Sequence, residues 1–221
     1  TTVKSLAIGT STITASAPGY SDGTTIVSFT EPKPKTNNKD MSKYSDKEVF
    51  LISDANWKDV LSLVPLTTWT DEREDINKYP TLIYHEEGNA FDVDSIIYFM
   101  QQYSAEKVAI VGSTTQELDN LLVAAPELGA GVEGVNIKRI SANDYLSHWE
   151  FFKDVVYVED NYELALMAST YASLINAPLV IQGTSLDSET VFENRNVICV
   201  GNVGAHCSEA YTLEQLQQKY V

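Results

Sequence analysis

The side chains best suited to chemistry in this chain are a few separated acids, one histidine and one amide. Asp54, His85, Glu86, Glu87, Asp160 and Gln182 each stand at or just beyond the end of a short apolar run. A carboxylate near a histidine can do general acid–base work, and carboxylates at matching places can grip a cation. Glu86, Glu87, Asp92 and Asp94 form the densest acidic group and are the candidate metal ligands. Oxygen donors of this kind select calcium, the one cofactor these residues suggest, although their spacing is not that of an EF-hand loop. A solvated loop with no cofactor accounts for the same residues. Asp54 and Asp160 also have a purely structural role open to them, as helix N-caps accepting backbone N–H groups. We prefer that role, because it explains both positions at once.

Other chemical motifs are weak. His85, His148 and His206 have no mutual spacing that suggests joint ligation, and His148 lies beside Trp149 and Phe151 as a packed or half-exposed histidine would. Gly201-Asn202-Val203-Gly204 precedes a helical pattern but matches neither nucleotide-binding glycine motif and lacks a lysine. No G-x-S-x-G elbow accompanies Ser113 or Ser185. Cys199 and Cys207 are the two cysteines, and either a disulfide or two free thiols fits their spacing.

These residues gain meaning from the elements that must position them. Asp154 to Gly183 reads as a complete unit of buried strand, helix and second buried strand. Val155 to Val158 is continuously apolar and β-rich, which suits a parallel strand covered on both faces. Leu164, Met167, Ala168, Tyr171, Ala172 and Leu174 recur at helical spacing, and Pro178 ends that helix before the strand Leu179 to Ile181. The same order occurs earlier. EVFLISDANWKDVLSLVPLTTWT corresponds to DVVYVEDNYELALMASTYASL, YPTLIYHEEG to NAPLVIQGTS, and KVAIVGST to NVICVGNV. An internal repeat of this kind is stronger evidence than either half alone. It places the candidate residues at strand carboxyl ends, where open parallel sheets bind ligands. Between the copies the pattern predicts a helix near Gln116 to Ala125, a strand Val135 to Ile140 and a helix from Ala142 to Phe152. A terminal helix is expected over Thr212 to Tyr220.

The first thirty residues differ in style. Gly9 to Ala17 and Thr24 to Phe29 alternate apolar with small or polar residues around Pro18-Gly19-Tyr20-Ser21-Asp22-Gly23, which predicts a β-hairpin. Residues 31–46, EPKPKTNNKDMSKYSD, read as a linker with nothing to bury. We therefore expect a hairpin segment over 1–30, a linker over 31–46 and an α/β domain over 47–221. That domain is expected to be a three-layer parallel-sheet fold of Rossmann or flavodoxin-like type, with related halves near 47–113 and 152–221. The net charge of −16 makes nucleic acid and anionic membrane poor partners. No apolar run approaches the roughly 18–20 residues of a membrane span. The first residues also lack the charged-then-apolar profile of a signal peptide, and they read as the tail of a module cut from a longer chain.

The repeat resembles the tandem type 2 cell-wall-binding modules of Gram-positive surface proteins. The matching pieces are LVAAPEL with GVNIKRISANDYLSHW, then VVYVEDNYELALMASTYASLINAPLVIQG, then VICVGNVGAHCSEAYTLEQL. Lys138 to Asp144 sits where that family commonly has an R-I-S-G-x-D-R run, with Ala142 in place of its glycine and Tyr145 in place of its final arginine. GTSTITASAPGYSDGTTIVSF resembles the last two strands of a bacterial immunoglobulin-like surface repeat. The resemblance implies a non-enzymatic module of an extracellular, cell-surface protein, used for wall attachment or surface-layer assembly. Its partner would be a cell-envelope polymer or a neighbouring surface protein. The acidic balance fits poorly with gripping an anionic polymer. The alternative is an α/β enzyme or small-ligand binder acting at the strand ends, and a third reading is a spacer without a ligand.

Overall fold

In a computed structural model that describes residues 9–29, 36–85, 93–114, 118, 120, 136–204 and 207–220, the chain divides into two units, 1–35 and 36–221. The first unit is a ribbon of β1 (Gly9–Ala15) and β2 (Gly23–Phe29), antiparallel with Gly9 opposite Phe29 and Ala15 opposite Gly23. The Tyr20 N–H donates to the Ala17 carbonyl at 3.1 Å, with Pro18 and Gly19 between them. Gly19 has φ +86°, the left-handed backbone that a Pro-Gly turn places at its third residue. The hairpin predicted from the alternation is therefore present.

The second unit is built on two four-stranded, all-parallel sheets. The first has the order β7 (Thr81–Tyr84), β4 (Glu48–Ser53), β8 (Lys107–Val111), β9 (Asn136–Ile140). The second has the order β12 (Leu179–Ile181), β11 (Asp154–Val158), β13 (Asn196–Val200), β14 (Glu209–Tyr211). In chain order within each copy both read second, first, third, fourth. The internal repeat seen in the sequence is thus repeated as topology, and the first copy extends to Ile140 rather than stopping near 113. The arrangement differs from one three-layer domain because no ladder joins a strand of one copy to a strand of the other among the described residues. Apolar strand sequences look the same whether they make one sheet or two.

The crossover helices sit on corresponding faces. α1 (Trp57–Thr67) covers Phe50, Ile52, Ala109 and Val111 with Leu63 and Leu66. Its counterpart α3 (Tyr162–Leu174) covers Val156, Val158, Ile198 and Val200 with Ala165, Ala168 and Ala172. α2 (Val93–Tyr103) packs Ile96 and Met100 on the opposite face of the first sheet, and the short α4 (Glu189–Phe192) places Val191 and Phe192 on the opposite face of the second. The small residues of α3 let α1 lie against it, and Leu61, Trp57 and Val64 of α1 join the α3 core. One apolar cluster runs from Phe50 and Ala109 to Val155, Val197 and Cys199, so the two sheets share a core.

The segment read as a linker is corrected from residue 36 onward. β3 (Asn37–Lys39) pairs antiparallel with β10 (Trp149–Phe152), and Lys39 and Tyr44 are buried. Their role follows from the end of α1, whose last carbonyls have no partner within the helix. Lys39 Nζ donates to the Pro65 carbonyl at 2.7 Å, Tyr44 Oη to Leu66 at 2.9 Å, and the Tyr79 N–H to Thr67 at 2.8 Å. Pro65 lies in the last turn of α1 and leaves the helix to end two residues later, at Thr67.

The helix expected over Ala142 to Phe152 is also corrected. It is a 3-10 helix over Ala142–His148 followed by β10. Ser141 and Asp144 close a capping box at its start, while Trp149, Phe151 and Phe152 are aromatic residues favoured in strands. The terminal helix resolves into α5 (Leu213–Gln217) and a 3-10 turn over Gln218–Tyr220, opened by a Thr212–Gln215 capping box.

Candidate functional site

Three of the candidate residues, Asp54, His85 and Asp160, enter two ion pairs at the carboxyl ends of the strands. Asp54 Oδ2 lies 2.5 Å from His85 Nδ1, and both side chains are exposed. Asp160 Oδ2 lies 2.6 Å from Lys58 Nζ, which also donates to the Gln182 carbonyl at 3.3 Å. The second pair joins the copies, since Lys58 belongs to α1 and Asp160 follows β11. Glu86, Glu87 and Asp92 lie outside the described residues, as does the side chain of Asp94. Among the described residues no group of three or more His, Cys, Asp or Glu side chains could hold a metal ion.

The N-cap role preferred for Asp54 and Asp160 is corrected. Asn56 caps α1 by accepting from the Lys58 N–H at 3.1 Å, and Asn161 caps α3 by accepting from the Leu164 N–H at 3.1 Å. Each amide lies closer to its helix than the aspartate before it, and so takes the position that faces the free N–H groups. That displacement leaves both aspartates to side-chain partners.

Lys58 is the residue that sequence reasoning missed. It sits in the first turn of α1, where a lysine gains nothing from the helix dipole. That misplacement was the available signal. Asp59 beside it is pushed above the usual carboxylate range by burial, against a hydrogen bond from Asn56 Nδ2 at 2.8 Å.

Between the copies lies a cleft of about 520 Å³. Ser53 enters it at the end of β4, Asn56 just beyond that strand, Ser113 after β8, Asn143 from the 3-10 helix, and Thr184 and Ser185 after β12. The first copy thus contributes most of the rim and the second closes it. The glycine loop after β13 is not a phosphate cradle. Glu159 Oε2 already accepts the Asn202 N–H at 2.9 Å, and a carboxylate there repels a second anion. Gly201 has φ +82°, and a Cβ on it would stand 2.6 Å from Glu159 Oε2.

A smaller cavity, of about 260 Å³, is bordered by Lys39, Trp69, Asp71, Asn77 and Asn176. Lys39 Nζ lies 2.9 Å above the Trp149 ring centroid, and burial holds its amine well below the usual lysine range. His148 takes the packed rather than the half-exposed alternative, and burial lowers it to about 4. Cys199 and Cys207, left open by the sequence, form a disulfide with a Cα separation of 5.6 Å. Among the described residues no helix is long and apolar enough to cross a membrane. No protein-family profile, no curated protein and no solved structure matches the chain.

Proposed function

We propose that the chain is a non-enzymatic module of an extracellular, cell-envelope protein, used for cell-wall attachment or surface-layer assembly. The duplicated scaffold carries this reading. Two copies keep the same strand order while their strand-end side chains differ, which suits a repeated structural unit better than one reaction centre. The strand order of each copy fits the flavodoxin-like variant of the doubly wound fold rather than the Rossmann order, and the sequence pieces quoted above fit type 2 cell-wall-binding modules. The hairpin of 9–29 then belongs to an immunoglobulin-like repeat, because a two-stranded ribbon needs further strands for stability. The disulfide supports an oxidising compartment outside the cytosol.

Co-sedimentation with purified Gram-positive cell walls, with and without chelator, tests the reading. Retention in the pellet is expected in the absence of chelator. A chain that stays in the supernatant under both conditions contradicts attachment.

A further inference from the structure

We propose that the cleft shared by the two copies binds a small neutral saccharide or polyol through the side chains of Ser113, Asn143 and Ser185. The site is independent of the attachment reading, since it is defined by the cleft alone. Its position is the one that parallel sheets use, beyond the carboxyl ends of β4, β8 and β9, with the end of β12 completing it. At about 520 Å³ it falls among small-ligand sites, which span about 300–1,000 Å³.

The lining selects the chemistry. Ser113, Asn143 and Ser185 come from three separate segments, and among the described residues their side chains have no hydrogen-bond partner. Hydroxyl and carboxamide groups both donate and accept, as the hydroxyls of a sugar do. Charge in the cleft is already matched. Lys58, its cation among the described residues, is paired with Asp160 at 2.6 Å. Asp59 stands in the first turn of α1, so the positive end of that helix already faces a carboxylate. An incoming phosphate or carboxylate would meet a half-buried acid and have to displace an existing ion pair. A metal ion would find one carboxylate in the lining, too few for an oxygen-donor site. A neutral, hydroxyl-rich ligand has no such penalty.

The test is titration of the full chain, followed by amide NMR, with glucose, maltose and chitobiose as neutral probes and oligomeric glycerol phosphate as the anionic probe. At least one neutral probe is expected to shift the resonances of Ser113, Asn143 and Ser185, with no change at high salt. Ser185→Trp fills the cleft from an exposed turn and should weaken that binding about tenfold or more. Asn143→Ala provides a second variant, with the thermal melt checking that each stays folded. Failure of every neutral probe to shift these resonances overturns the proposal. So does binding confined to the anionic probe, or full affinity in both variants. Wall sedimentation run in parallel separates the two ideas, because a chain that binds sugar but not walls overturns attachment alone.

Discussion

The two copies connect their third strand to their fourth in different ways. In the first, residues 112–135 separate β8 from β9. In the second, residues 201–208 alone connect β13 to β14, and the Cys199–Cys207 disulfide spans that connection. Parallel neighbours ordinarily need a crossover of about a dozen residues or more, so the second copy uses a covalent staple where the first has chain to spare. The strand order survives both solutions. Packing of the sheet faces sets the scaffold, and the strand ends are free to differ.

The glycines that end β8 and β13 give the largest contrast. Gly112 and Gly201 both have positive φ, but a Cβ at 112 meets open space while one at 201 would meet Glu159 and Leu164 Cδ1 at 2.6 and 2.7 Å. Gly112→Ala should cost about 1 kcal/mol, from backbone strain alone. Gly201→Ala should cost about 3 kcal/mol, with the close approach added to the strain. Equal losses in denaturant unfolding would break the comparison.

Removing the staple comes next. Cys199→Ala with Cys207→Ala should destabilise by about 2–3 kcal/mol, the loop-closure value for so short a loop. Reducing agent should lower the melting temperature of the wild type and leave the double variant unmoved. A wild type indifferent to reductant would contradict the staple.

The segment joining the copies should respond to acid. His148 is held at about 4 in the folded chain against 6.5 when exposed, so the unfolded state binds more protons between those values. Stability therefore falls as pH drops from about 6.5 to about 4, by about 3 kcal/mol from this residue. His148→Phe should flatten that part of the pH profile. An unchanged slope would mean that His148 is not held neutral by burial.

The two ion pairs give the smallest effects. Lys58→Met should cost about 0.5–1 kcal/mol, because Lys58 is largely covered and ties the copies together. Asp54→Asn should cost less than about 0.5 kcal/mol, since Asp54 and His85 are both exposed. A larger loss at Asp54 would reverse the ranking of the two pairs.

Much of this scaffold was legible from residue pattern. The buried strands, the small-residue helix and the repeat all follow from apolar periodicity, which burial enforces. Asp54, His85, Asp160 and Gln182 do stand just beyond strand ends, as the pattern placed them, but their partners were not legible. Asp54 and Asp160 lost the cap position to Asn56 and Asn161 by one or two residues, a shift too small for pattern to resolve. Lys39 and Tyr44 were hidden for a different reason. Their segment is polar in composition, and only the three-dimensional end of α1 explains why a lysine and a tyrosine are buried there. The cleft was invisible because its lining comes from segments far apart in the chain.

The central claim is that two copies of one scaffold, differing at their strand ends, form a single cooperative unit around a shared core. Native-state hydrogen exchange on the amides of β4 and β11 tests it most directly. A shared core predicts the same opening free energy for both strands, equal to that of global unfolding. Exchange from β4 at a distinctly lower free energy than from β11 would show two independently opening halves and contradict the account.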